Sequence, residues 1–238
     1  ASYTISTLPA GTTQIVALYS GDSNFSASTR TLAQDVDAIP STTTIVSNLN
    51  PSNYGDAVTF TANVSSSTPG TTPTGTVTFF DGMSALQTFT LNASGNASYT
   101  VSSLSPGTHS IKAVYNPDSN FTTSNASVDQ VVNVGTTTTS IISGSPNPSA
   151  IGAAVTFIAT TNADAGIPTG TITFYDGISS LGTVSLVGNI ASIMVSNLSA
   201  GSHSITAVYN GNANFAPSLS TPFNQVVDAA VPSTTTTL

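Results

Sequence analysis

Cysteine, tryptophan and glutamate are absent from this sequence, and two cations, Arg30 and Lys112, stand against ten aspartates. Without cysteine there are no disulfides and no thiolate metal sites, although that absence leaves the compartment open. The net charge of −8 repels phosphate backbones and argues against nucleic acid as a partner. Charged residues make up 5% of the chain, against roughly 25% in an average soluble protein. Scarce charge can signal a membrane span or disorder. No apolar run approaches the ~18 residues a span needs, which speaks against membrane insertion of this segment, and no basic cluster flanks one. Disorder is opposed by Val, Ile, Phe and Tyr recurring in alternation. Ser and Thr, about a third of all residues, cover the surface that Lys, Glu and Asp normally cover. No signal peptide begins the chain and Ala1 falls inside a repeat, so the sequence reads as a window on a longer polymer.

The repeat is plain. Tyr3–Phe25 reads YTISTLPAGTTQIVALYSGDSNF, Tyr99–Phe121 reads YTVSSLSPGTHSIKAVYNPDSNF, and Ile193–Phe215 reads IMVSNLSAGSHSITAVYNGNANF. PTGTVTFFDG at Pro73–Gly82 returns as PTGTITFYDG at Pro168–Gly177, and a Thr-rich opening recurs at Ser41–Thr44, Thr136–Thr139 and Ser233–Thr237. The period is about 95 residues. It divides the chain into a C-terminal part-repeat (1–37), two whole repeats (38–134 and 135–228) and the first strand of another (229–238). Residues 1–37 carry about three of the expected strands, too few to bury both sheets of a sandwich.

Within 38–134, Val58, Phe60, Ala62 and Val64 alternate with polar residues, as do Val77 and Phe79. Asp81-Gly82 supplies a hairpin turn tolerant of positive φ. Phe89 and Leu91 follow, Ser94-Gly95-Asn96 makes the next turn, and Tyr99 and Val101 continue the inward face. His109, Ile111, Ala113 and Tyr115 share one face of a later strand, and Val128 to Val134 closes the repeat. About seven strands and no helical periodicity predict an all-β fold, a two-sheet antiparallel sandwich per repeat.

The run L-x-x-G-x-H-x-I-x-A-x-Y-x-x-D-x-N-F at Leu104–Phe121, the P-T-G-T-V-T-F-F-D-G segment and the Thr-rich opening together resemble the bacterial immunoglobulin-like (Big-type) repeats of large secreted and surface proteins. The resemblance covers nearly the whole chain. It implies tandem immunoglobulin-like Greek-key sandwiches, an extracellular or cell-surface setting and a spacer or adhesive role. The family shares no catalytic residues, so none are carried over. Thr13 stands where the motif has His, and Asn212 where it has Asp.

Several residues invite chemistry. His109 and His203, the only histidines, occupy one repeat position; as ligands or bases they would be functional, but Thr13 at the same site points to a structural hydrogen bond to the preceding turn. The Asp-x-Asn loops (Asp22/Asn24, Asp118/Asn120, then Asn212/Asn214) could offer oxygens to calcium, yet two side chains fall short of six to eight ligands and the third copy has lost its carboxylate. Asx turns explain them better. Asp81 and Asp176 read as hairpin-turn residues. No Ser stands in a nucleophile elbow, and two histidines a repeat apart cannot serve one site. Lys112, whose equivalents are Val16 and Thr206, falls on the outer face by strand parity, away from any amide cross-link. Seven N-x-S/T sequons among nineteen asparagines are what a chain this rich in Ser and Thr produces by chance. The expectation is therefore no catalytic, cofactor or metal site.

Short junctions at Asp37–Ser41, Val134–Thr136 and Asp228–Ser233, two of them carrying Pro40 and Pro232, couple neighbouring repeats. The leading expectation is a non-catalytic stalk, spacer or filament shaft. Its partners would be neighbouring repeats and other copies of itself, because strand flanks of Thr and Ser carry little charge to guard their edges. An adhesin binding a surface glycan or receptor, and a phage tail or capsid decoration, are the alternatives.

Overall fold

The structure, a computed structural model, describes residues 1–230, and among them every regular element is a strand. Residues 38–134 open with β3 (Ser41–Ser47), which pairs with β5 (Val58–Ser66), itself paired with β8 (Asn96–Val101). The facing sheet runs in the order β4 (Ser52–Asn53), β10 (Ser124–Asn133), β9 (Gly107–Pro117), β6 (Gly75–Asp81), β7 (Ser84–Thr90). That makes the seven expected strands plus a two-residue β4 that pairs parallel to β10. Residues 135–228 repeat the plan. One sheet holds β11 (Thr137–Ser145), β13 (Val155–Ala163) and β16 (Ile190–Val195). The other holds β12 (Ser149–Ala150), β19 (Phe223–Asp228), β17 (Gly201–Tyr209), β14 (Thr171–Asp176) and β15 (Ser179–Ser185), with β18 (Ser218–Leu219) beside β17.

The opening strand thus changes sheets part-way. In the second repeat Pro146 lacks an N–H, so the β11 ladder stops at Ser145; in the first the β3 ladder ends at Ser47 and Pro51 directly precedes β4. In both the chain then crosses to the strand that closes the repeat. Burial follows the alternation in the sequence. Phe60, Ala62, Phe79, Ile111, Ala113 and Tyr115 are fully buried, with Phe79, Phe89 and Tyr99 forming an aromatic cluster at centroid separations of 5.8–6.1 Å. Phe157, Ile172, Phe174, Ile205, Ala207 and Tyr209 repeat the core in the next sandwich. Gly95 shows why the turn residue is glycine: its φ is +74° and a Cβ there would lie 2.4 Å from the Val64 carbonyl oxygen.

The first 37 residues hold two strands, not the three expected: β1 (Gly11–Tyr19) and β2 (Ser28–Val36), an isolated hairpin. Ala1–Ile5, the counterpart of Ala97–Val101 in β8, forms no strand. In the whole repeats that segment is held by β5 or β13, and 1–37 contains no equivalent of either. Tyr19 and Leu32, which stand at inward-facing positions, are accordingly exposed. Of the segment expected to open a following repeat, residues 231–238, with Pro232 and the last Thr-rich run, lie outside the described residues.

The chain packs as two compact units. One comprises Ala1–Asn50, Val58–Val101 and Thr108–Gln130; the other comprises Pro51–Ala57, Ser102–Gly107 and the described residues from Val131 onward.

Candidate functional site

The repeated polar residues form fasteners between loops and strands. In register, Asp81 at the end of β6 lies opposite Ile111 of β9, which brings its carboxylate to His109 two residues back along the strand. His109 Nδ1 and Asp81 Oδ2 are 2.7 Å apart, and His203 and Asp176 repeat the pair at 2.6 Å. The His203 Nδ1–H donates to Asp176, and its Nε2–H donates to the Ser199 carbonyl at 2.8 Å. Both partners are acceptors, so only the imidazolium satisfies both. The Ser199 carbonyl raises the His203 pKa, burial works against it, and the Asp176 carboxylate adds to the rise. A carboxylate–imidazole pair is also half of a catalytic triad, but a base needs a free ring nitrogen, and His203 has both engaged. His203 bonds the preceding loop, as expected. Asp81 and Asp176 do more than turn a hairpin: each accepts from a histidine 27 or 28 residues away.

A second fastener is the tyrosine ending each L-x-x-G motif. Tyr115 and Tyr209 are fully buried, and their hydroxyls donate to the carbonyls of Thr74 at 2.5 Å and Thr169 at 2.7 Å. Burial, with the charge of Asp118, pushes the Tyr115 phenol up to about 12. Tyr19 occupies the same position in 1–37, where no P-T-G segment exists. It is 43% exposed and donates instead to Asp22 at 2.9 Å.

The Asx loops are turns. Asp22 Oδ1 accepts the amides of Asn24 and Phe25 at 2.8 and 2.9 Å, and Asn212 Oδ1 accepts those of Asn214 and Phe215 at the same distances. The Asn24 amide, the Tyr19 hydroxyl and the Phe25 amide, in that order, hold the Asp22 carboxyl below its ordinary range. Asp118 accepts the Asn120 amide through one oxygen and the Thr74 hydroxyl through the other. In the third copy Asn212 replaces this with an amide that donates to the Thr169 carbonyl at 2.9 Å. The loss of the carboxylate therefore keeps the same tether. Lys112 lies half-buried on β9 opposite Phe80, its neighbours Ile111 and Ala113 being the core residues.

Sequence reasoning missed Gln130 and Gln225, both completely buried. Gln130 Oε1 accepts from Ser47 at 2.6 Å and its Nε2 donates to the Leu49 carbonyl at 2.9 Å, which ties the point where the opening strand leaves its sheet to β10. Gln225 Nε2 donates to the Pro146 carbonyl at 2.9 Å. A glutamine in a strand reads as surface; its recurrence in Q-V-V at a fixed repeat position was the available signal.

An open cleft of about 610 Å³ on the first hairpin is lined by Tyr3, Ile5, Ile15 and Leu32. Ile15 matches the core residues Ile111 and Ile205, so this cleft is the inward face of a sandwich lacking its second sheet. Among the described residues, no three His or Asp side chains come together to hold a metal ion, and no helix is long and apolar enough to cross a membrane.

Two antiparallel sheets per repeat, with one ladder of three strands and the other closed by a parallel edge piece, define tandem immunoglobulin-like β-sandwiches. The sequence profile of the bacterial Ig-like domain (group 3) matches residues 45–135 and again 142–228, and the chain belongs to that family. No curated protein matches the chain. Among solved structures, a tetra-tandem repeat from the extending region of a large adhesion protein aligns at 18% identity over 94% of this chain and 58% of that one, with a TM-score of 0.47. The fibronectin(III)-like modules of Clostridium thermocellum CbhA align at 18% identity over 79% and 93% with a TM-score of 0.32. The BSP domain of a biofilm-associated protein aligns at 20% over 78% and 30% with a TM-score of 0.27. Those scores carry no argument of their own; the family rests on the two profile matches.

Proposed function

We propose that this chain is a non-catalytic spacer array of an extracellular or cell-surface bacterial protein, serving as stalk or filament shaft. One observation carries the reading. The polar residues that recur every repeat are engaged in holding each sandwich together: histidine to aspartate, tyrosine to carbonyl, Asx side chain to backbone amide and glutamine to the strand crossing. Selection for a shape-keeping sandwich produces that pattern. Mechanical unfolding of single chains tests it. Each whole repeat should open in one step and release about 300 Å of chain, given ~3.4 Å per extended residue. Gradual lengthening without steps would refute a spacer role.

A second reading concerns partners. Met83 and Ile178 sit at the same hairpin tip in the two repeats and are 97% and 98% exposed. We propose that this apolar knob, recurring once per repeat at the same hairpin tip, attaches laterally to other copies, the filament form of the same function. Light scattering of the chain, with and without Met83→Ser and Ile178→Ser, tests it: association that survives both substitutions would remove the knobs from the reading.

A further inference from the structure

The second compact unit contains a joint. Phe215, from the Asn-Phe loop between β17 and β18, is 3% exposed and meets the Tyr54 ring edge-on at a centroid separation of 5.3 Å. Glycines make room for it. A Cβ at Gly135 would stand 3.0 Å from the Phe215 ring, and one at Gly166 would stand 3.1 Å from it. Gly55, beside Tyr54, is as tightly placed: its Cβ would fall 2.9 Å from the backbone of Ala165. The Gly135 amide donates to the Asn214 carbonyl at 2.8 Å, and the Ala216 amide to the Gly135 carbonyl at 2.9 Å, so the ring's loop is clamped to the linker.

Both halves of this joint recur without their complement. Ile151 and Gly152 occupy the positions of Tyr54 and Gly55. The local backbone is the same: the Tyr54 and Ile151 amides donate to Asn133 and Asp228, and the Asp56 and Ala153 amides close the same turn onto Asn53 and Ala150. Yet Ile151 is 48% exposed and a Cβ on Gly152 would meet nothing within 4 Å. The Phe25 loop is folded like the Phe215 loop, with Asp22 in the place of Asn212, and Phe25 is 68% exposed. Phe121, flanked by Leu8, Pro9 and Ala10 of a part-repeat that has no counterpart of Tyr54, is half-buried in an open cleft of about 420 Å³. Coverage of the ring follows the presence of the Tyr54 element.

We propose that the face bearing Ile151 and Gly152 is a docking socket for the Asn-Phe loop of a further bacterial Ig-like repeat, and that this plug-and-socket contact is how successive repeats are coupled. The occupant is another sandwich of the same kind, because the equivalent face of the same chain holds one. Only that occupant rests on the spacer reading. A failed socket would leave a spacer with loose joints, whereas loss of stepwise unfolding would remove the spacer itself.

The absence of cysteine makes the test clean. In the full chain, Ile151→Cys supplies a single thiol whose maleimide labelling rate reports its exposure. The chain is then extended by repeating residues 134–228 directly after Asp228, which reproduces the linker length of the joint at Val134. The extension should slow labelling of Cys at 151 at least tenfold, and Phe→Ala at the appended copy's Phe215 position should restore it. In the unextended chain, a single thiol from Tyr54→Cys should be the slow reporter, released by Phe215→Ala. Labelling at 151 that ignores the extension, or slow labelling that persists after Phe→Ala, would overturn the proposal.

Discussion

The two sandwiches solve one packing problem differently, and the difference predicts a coupling energy. In the first, Ser47 faces Phe60 across the ladder and its hydroxyl donates to Gln130. In the second, Gly144 faces Phe157 at that position and the buried Gln225 Oε1 has no hydrogen-bond partner. The space is filled by Phe223, which stands where the first sandwich has Val128: a Cβ on Gly144 would lie 2.5 Å from its ring. Gly144→Ser alone should therefore overpack the site and cost about 1–3 kcal/mol. Phe223→Val alone should lose its contact with Phe157, where the centroids are 6.4 Å apart, and cost about 1–2 kcal/mol. Together they recreate the Ser47 arrangement. The clash with Phe223 disappears, the Phe157 ring 2.9 Å from that Cβ gains space to shift into, and the hydroxyl reaches Oε1, so the double variant should recover about 1–3 kcal/mol relative to the sum of the singles. Urea denaturation of the four chains reads this as a midpoint shift on the order of 1 M at ordinary m-values. Single costs that add to within about 0.5 kcal/mol would refute the idea that Phe223 occupies the place of a hydroxyl.

Three further outcomes follow from the fasteners. The His203 pKa is raised in the fold, so the imidazolium's contribution is complete below the unfolded value near 6.5 and is lost as pH rises through the higher folded value. Thermal unfolding should show that loss, NMR should place His203 above ordinary histidine, and a His203 midpoint at or below 6.5 would contradict it. Tyr209→Phe should cost about 1 kcal/mol, because Asn212 still donates to the Thr169 carbonyl, and Tyr115→Phe should cost more, because Asp118 offers the Thr74 carbonyl no donor; equal costs in calorimetry would refute the distinction. Chelator should leave the melting temperature unchanged, since the Asx loops are closed by amides and hydroxyls; a drop of many degrees reversed by calcium would restore the metal reading.

Alternation and repetition in the chain were enough to determine the strands, the inward faces and the tandem sandwich. A side chain's face in a strand follows from parity alone, so Phe60, Phe79, Ile111 and Tyr115 could be placed in the core before any fold was known. Asx turns and Gly turns are equally local, because side chain and amide lie within three residues. What pairs across the fold was not local. Asp81 meets His109 only because β6 and β9 align Asp81 with Ile111, and a register shift of one residue would send the two side chains to opposite faces. The two-residue β4 and the burial of Gln130 depend on where the opening strand changes sheets, a choice set by the facing β10 rather than by the Thr-rich run itself. The missing third strand of residues 1–37 makes the same point from the other side. Ala1–Ile5 has the alternation of Tyr99 and its neighbours, but a strand edge is stabilised by the ladder beside it, and only the tertiary structure decides whether one is there.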